Sequence, residues 1–258
     1  MTGDDPRIGC AGWRVPKQHA VAFPASGSHL ARYAGRFDAV EIDTSFRRQH
    51  RHATYKRWAA TVPTGFAFAV KAPAAVTHAG QLGEPGEALD DFLDRVGGLG
   101  DKLGPLLFQF PPRRAFEADA ARAFFAGLRT RFDGWAVCEP RHASWFAAAA
   151  DRLLAGFHIA RVAADPAPAA GANEPGGWPG LVYVRLHGTP RVYYSAYRPE
   201  RLAGLAERLA RARGKRRPVW CIFDNTAAGE ATTDALALQR HVRGISPAPA
   251  APPRWSRG

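Results

Sequence analysis

The stretch "AVEIDTSF", Ala39 to Phe46, alternates apolar and polar side chains as a β-strand does, with Val40 and Ile42 on one face and Glu41 and Asp43 on the other. A strand that carries two carboxylates on one face either borders water or lines a polar basin. The rest of the chain has to choose between these. Seven further apolar runs of similar length occur in the 258 residues: "RIGCAGW" (7–13), "FAFAVKA" (66–72), "GPLLFQFPP" (104–112), "WAVCEPRH" (135–142), "HIARVAAD" (158–165), "LVYVRLHG" (181–188) and "PVWCIFDN" (218–225).

Amphipathic stretches with helical spacing separate many of these runs, among them 28–37, 54–60, 87–96, 117–131 and 199–213. Alternating strands and helices call for parallel strands joined by right-handed crossovers. Eight units in a chain of 258 residues suit a closed (β/α)8 barrel of the TIM type better than an open doubly wound sheet. The expected fold class is therefore α/β, a single barrel domain over 1–243. "PAPAAGANEPGGWPG" (166–180) is too rich in Pro and Gly for a helix, so a loop is expected between the sixth and seventh strands. The tail 244–258 has the composition of a disordered end.

Chemistry in such a barrel collects at the C-terminal ends of the strands. With the more apolar parity of each run packed on the helices, the other parity offers Glu41 and Asp43, Lys71, Gln109, Glu139 and Arg141, Asp165 with Arg161 deeper, then Arg185 and His187. The eighth run offers Asn225, with Asp224 competing for the same face. Stability alone would fill the interior with Val, Ile and Leu, so polar groups at the end of nearly every strand point to a functional basin. Lys71, Arg141 and Arg185 would clamp an anion; Glu41, Glu139 or His187 would move a proton. Ser45, Asp43, Gln109, His142, Asp165, Asn225 and Trp13 complete the expected ligand-binding set, although His142 has a second reading as a helix cap and Trp13 as ordinary packing.

The balance of 35 Lys and Arg against 23 Asp and Glu, a net +12, makes a nucleic-acid or nucleotide binder the rival class. However, "RRQHRH" (47–52) follows the second strand while "RARGKRRP" (211–218) precedes the eighth, so the two clusters belong to opposite ends of a barrel and form no continuous groove. His142, His187 and the carboxylates would allow a metal-assisted phosphodiesterase, but no H-E-x-x-H spacing sets two ligands on one element, and no metal or cofactor is expected. Cys10, Cys138 and Cys221 stand far apart in apolar runs and read as packing residues. No apolar run approaches the ~18 residues of a membrane span, and "MTGDDPRIGC" lacks the order of a secretory signal, so a cytoplasmic location is expected, with no membrane partner and a small anionic molecule as ligand.

"IGCAGW", "LARYAGRFDAVEIDTSF", "GFAFAVKAP", "LGPLLFQFPP", "CEPRHASW", "YVRLHG" and "CIFDN" stand in an order and spacing that resemble the YecE-like proteins, or domain of unknown function 72. The resemblance covers residues 7 to about 242 and implies a TIM-type barrel; it implies no particular reaction. Matched position by position, it singles out Trp13, Glu41, Ser45, Phe46, Lys71, Gln109, Glu139, Arg141, His142, Trp145, Arg185 and His187. This chain departs from the family pattern at Asp43, at Arg47 and after the eighth strand, where "FDNTAAGEA" stands.

Overall fold

Alternation along the strands sorts their side chains into two buried clusters, one against the helices and one on the opposite face. The computed structural model describes residues 5–80, 82–213 and 217–244. Its strands are β1 (Arg7–Cys10), β2 (Ala39–Ile42), β3 (Ala67–Lys71), β4 (Leu103–Gln109), β5 (Ala136–Glu139), β6 (Ile159–Arg161), β7 (Ala163–Asp165), β8 (Gly176–Gly177), β9 (Val182–Leu186) and β10 (Val219–Phe223). The helices are α1 (His29–Ala34), α2 (His52–Thr61), α3 (Ala74–Thr77), α4 (Glu87–Val96), α5 (Ala118–Arg129), α6 (Ala148–Gly156), α7 (Pro199–Arg213) and α8 (Glu230–Val242). Among the described residues no helix is long and apolar enough to cross a membrane. The expected C-terminal tail, apart from Gly244, lies outside the described residues.

The strands form two sheets, β1-β10-β9-β7 and β2-β3-β4-β5-β6-β8, parallel throughout except for the two-residue β8, which runs antiparallel to β6. Phe68 and Val70, Leu106 and Phe108, and Val182 and Val184 pack towards the helices, whereas Ala39, Ala69, Leu107, Val137, Ala160, Val162, Tyr183, Trp220 and Ile222 make the second cluster. This second cluster draws on residues of both sheets, so the two sheets pack against each other through it. As expected, the 166–180 stretch carries no helix; Arg161 holds it by bonds to the carbonyls of Gly171 and Glu174.

Where one sheet meets the other, the chain makes direct links without a regular ladder. β6 and β7 are one run of chain interrupted at Val162, the first half paired with β5 and the second with β9. At the other junction Ala11 bridges Glu41, and the Gly12 N–H donates to the Glu41 carbonyl at 2.9 Å. Deeper in, the Tyr33 hydroxyl stands between the strands, accepting from the Cys10 N–H (2.8 Å) and donating to the Ala39 carbonyl (3.0 Å). One side chain thereby satisfies two buried backbone groups that a ladder would have paired directly. Gly9 permits this approach, since a Cβ there would stand 2.2 Å from the Ala39 oxygen.

This junction is open to a direct test by urea denaturation. Gly9→Ala, which forces β1 off β2, is expected to cost about 2 kcal/mol or more, and Tyr33→Phe, which orphans the Cys10 N–H and the Ala39 carbonyl, about 1–3 kcal/mol.

Candidate active site

Arg185 is fully buried on β9 and is the hub of the polar interior. Its Nε and Nη2 donate to the two oxygens of Glu41 on β2 (3.1 and 2.6 Å), its Nη1 to Glu139 Oε2 on β5 (2.6 Å), and Nη2 also to Asp224 Oδ2 at the end of β10 (3.0 Å). The planar fork of a guanidinium can serve three carboxylates at once in this way. Below it, Tyr183 donates to Glu41 Oε2 (2.8 Å) and stacks on Trp220. Tyr183, Arg185 and His187 share one face because β9 repeats every second residue.

Above Arg185 lies His187, also buried, with Nδ1 3.0 Å from Asp224 Oδ2 and Nε2 2.9 Å from Glu139 Oε1. The Arg141 guanidinium closes a triangle there, its Nη2 2.7 Å from Glu139 Oε1 and 2.9 Å from His187 Nε2. Lys71 Nζ sits 2.8 Å from Asp43 Oδ1 and 4.5 Å above the Phe46 ring. That ion-pair contact is poorly aligned for a hydrogen bond, and Oδ1 accepts none. The upper groups are the ones that reach water: 41% of the Asp43 side chain is exposed, 17% of Arg141, 10% of Asp224 and 9% of Lys71.

Burial pushes the Glu139 carboxyl up, but Arg185, Arg141 and His187 together outweigh it and hold this carboxyl well below the usual range. Asp224 follows the same pattern, with burial overcome by Arg185 and His187. For Glu41, burial prevails over Arg185, with the charges of Asp224 and Asp43 adding to it, and the carboxyl is raised. Burial also raises the three thiols, Cys10 to about 12, which suits packing rather than nucleophilic work.

Of the residues expected from the sequence, Glu41, Glu139, Arg141, Arg185 and His187 come together in one network, with Lys71 and Asp43 beside it. Gln109 shares the interior face of β4 with Leu107 and pairs in register with Glu139. Arg185 is a correction of role: wholly enclosed and committed to carboxylates, it offers a ligand nothing. Asp165 and Arg161 face the helices, since Ala160 and Val162 take the interior parity. Asp165 accepts from Arg201 on α7 (2.8 Å) at the edge of an outer cleft of about 820 Å³, and Arg161 pairs with Asp151 on α6 (2.8 Å).

On β10 the interior parity belongs to Trp220 and Ile222 and continues to Asp224, so Asn225 faces the other way, donating to Ser195 O and Asp234 Oδ2 (2.9 and 2.6 Å). The Ser45 hydroxyl is spent on the carbonyls of Ile42 and Lys71 (2.9 and 2.7 Å). His142 caps the turn Ala143–Phe146, its Nδ1 accepting from the Ser144 N–H (3.3 Å). Trp13 packs edge-on against Trp58 of α2. The structure adds two members to the network, Tyr183 and Asp224; the sequence signal for the first is its place two residues before Arg185, and for the second its competition with Asn225.

A sequence profile described as "Protein of unknown function DUF72" matches residues 7–255. The chain belongs to this family. DUF72 relatives include the "UPF0759 protein YecE" of Escherichia coli K12, 28% identical over 170 residues, a match spanning 62% of this chain and 59% of the relative. The same protein of Escherichia coli O157:H7 is 28% identical over 144 residues, covering 54% of this chain and 50% of the relative. The chain's match thus spans less than two thirds of the curated relatives. Among solved structures, a DUF72 family protein of Enterococcus faecalis V583 superposes with a TM-score of 0.78 at 21% identity, over 96% of this chain and 99% of its own. One of Thermotoga maritima MSB8 does so with 0.75 at 21%, over 93% and 99%. At such identities the likeness is one of fold: parallel strands with crossover helices.

The directions of the carboxyl shifts have a pH consequence. A group held below its ordinary value contributes stability that is present above that value and lost on acidification. Glu139→Gln is expected to destabilise the protein by about 3–5 kcal/mol at neutral pH, because Arg185 and Arg141 lose a buried partner. The gap from wild type should narrow as pH falls below the ordinary value of 4.5. Urea titrations at about pH 7 and about pH 3 check this; a gap of constant size would mean that folding does not depress the Glu139 carboxyl, and a gap that widens at low pH would mean that burial outweighs its cationic neighbours.

Proposed function

We propose that this DUF72 protein is an enzyme acting on a small anionic or polyhydroxylated molecule by acid–base chemistry, at the C-terminal strand ends of a (β/α)8 barrel formed by the two sheets together. The barrel reading rests on the strand order and on the two junctions, at Val162 and at Ala11–Glu41, which link the sheets into one circuit.

The observation that carries the functional reading is the position of His187 Nε2, 2.9 Å from both Glu139 Oε1 and Arg141 Nη2. With its proton, Nε2 donates to the carboxylate; without it, Nε2 accepts from the guanidinium. The ring thus has a partner in either state, as a group that moves a proton requires. Asp224 on Nδ1 orients the ring, and Arg185 in turn holds both carboxylates. Glu41 and Tyr183 position Arg185 from below.

Arg141 covers His187 and is partly open to water, and its Nε is buried without a partner. A ligand oxyanion that draws this guanidinium to itself uncovers Nε2. Lys71 is the second cation at the rim, and Asp43 and Gln109 are the groups suited to hydroxyls. Hydrolysis, isomerisation and elimination all fit this set.

A rival reading, nucleic-acid or nucleotide binding, draws on the exposed Arg47 and Arg48 beyond β2. The described part of the second basic run lies elsewhere: Arg213 is 3.0 Å from Asp5, just ahead of β1, at the opposite strand ends. The metal-assisted phosphodiesterase needs convergent ligands, and among the described residues no group of three or more His, Cys, Asp or Glu is disposed to hold a metal ion. Both Glu139 oxygens and Asp224 Oδ2 are turned to guanidinium groups.

A thermal-shift panel of small oxyanions and polyols tests the reading, since a ligand that binds the native state raises its melting point. At least one oxyanion is expected to raise the wild-type Tm by several degrees and to have no effect on Lys71→Ala or Arg141→Ala. Turnover of that compound should fall about 100-fold or more in His187→Asn with binding retained. Shifts equal in Lys71→Ala and wild type would remove the site, and a steep loss of oligonucleotide affinity with salt would favour the rival.

A further inference from the structure

The loop from Gly188 to Arg198 holds three of the five large apolar or aromatic side chains most exposed among the described residues: Val192 (39%), Tyr193 (45%) and Tyr194 (45%). Tyr193 has φ +69°, a left-handed conformation that a side chain with a Cβ resists. Such strain persists only where neighbours enforce it, and it gathers at functional sites.

Here the neighbours are identifiable. The Tyr193 N–H donates to the His187 carbonyl (2.5 Å), and the Tyr193 carbonyl accepts from the Ala227 N–H beyond β10 (3.0 Å). Asn225 Nδ2 holds the Ser195 carbonyl (2.9 Å), Tyr197 donates its N–H to Asp234, and the Tyr197 hydroxyl accepts from the Gly188 N–H (2.9 Å). Arg191 lies 3.9 Å over the Tyr194 ring and so braces the second tyrosine. The loop is therefore pinned to the ends of both strands that supply His187 and Asp224. The Tyr193 ring stands edge-on to the His187 ring at 5.9 Å. An aromatic side chain held against strain, half open to water and next to the proton-moving group is a preorganised stacking wall.

Resting on the reading of the site given above, we infer that Tyr193 is the ring-stacking face of that site and selects a cyclic polyhydroxylated oxyanion, of the sugar-acid or sugar-phosphate class. A sugar ring lays its C–H face on an aromatic ring; its hydroxyls suit Asp43 and Gln109, and its anionic group suits Lys71 and Arg141. A planar base would stack as well, but it would leave the carboxylate at Asp43 with fewer hydroxyl donors.

The test compares hexose phosphates and uronic acids with acyclic compounds bearing the same anionic group, glycerol phosphate and gluconate, and with nucleoside monophosphates, by calorimetric titration of the full chain. Wild type is expected to bind the cyclic sugars at least 10-fold more tightly than the acyclic compounds. Tyr193→Ala should weaken binding of the cyclic sugars about 10-fold more than that of the acyclic compounds and so erase the preference, and Tyr193→Phe should retain it. Tyr193→Gly should melt above Tyr193→Ala, because glycine relieves the left-handed strain, and should also lose the preference. Equal affinity for the two classes in wild type, or a preference that survives Tyr193→Ala, overturns this inference and leaves the site reading intact if binding still needs Lys71. Tighter, Tyr193-dependent binding of nucleoside monophosphates overturns the sugar class, and no binding of any compound overturns both readings.

Discussion

A single guanidinium, that of Arg185, lies out of reach of water and is bonded to carboxylates from three other strands, Glu41, Glu139 and Asp224. Withdrawing four charged groups from water is expensive, and their mutual attraction returns the cost only when the geometry is nearly ideal. As a source of stability the arrangement is poor. As a source of specificity it is strong, because one misplaced strand would leave a buried charge unpaired. Glu41 and Glu139 belong to one sheet and Arg185 to the other, so the cluster ties the two sheets in one register.

The rest of the site is layered on this cluster. Beneath it the Tyr183 and Trp220 rings stack, with Leu107, Val137 and the alanines of β2 and β3 around them, a dry floor that raises the strength of every charge interaction above. Over it, Glu139 turns its other oxygen, Oε1, to His187, and Asp224 shares the single oxygen Oδ2 between Arg185 and the His187 ring. The order is thus built upward, from core to cluster to imidazole, and the long side chains Arg141 and Lys71 stand at the rim that reaches water. Two adjacent residues divide the work at the end of β10: Asp224 turns into the site, and Asn225 turns out to hold the 188–198 loop. An apparently structural amide and a site carboxylate therefore place the loop and the imidazole on a common support.

Most of the architecture was legible in the sequence, because burial of one strand face against helices imposes a period of two and the crossovers impose a period near 3.6. β2, β3 and β9 alternate bulky apolar residues with small or polar ones, and β4 and β5 each end on one polar residue, Gln109 and Glu139, so parity places Glu41, Lys71, Glu139, Arg185 and His187 on one face. In β6 and β10 both parities are apolar, Ile159 and Ala163 against Ala160 and Val162, Cys221 and Phe223 against Trp220 and Ile222. Hydrophobicity cannot orient such a strand, which is why periodicity points Asp165 inward and prefers Asn225 to Asp224, the reverse of the folded arrangement.

Pairing and enclosure belong to the tertiary structure alone. Residues 41, 139, 185 and 224 lie far apart along the chain, and whether an arginine among carboxylates clamps a ligand or is consumed by its neighbours depends on distances that no periodicity encodes. The same holds for Ser45 and His142, whose polar atoms are spent on local turns. Local alternation is a property of consecutive residues, which is why the sequence by itself determined which strand faces carry the charged groups. The partner of each charge is a property of strands brought together from across the chain, and only the folded arrangement decided it.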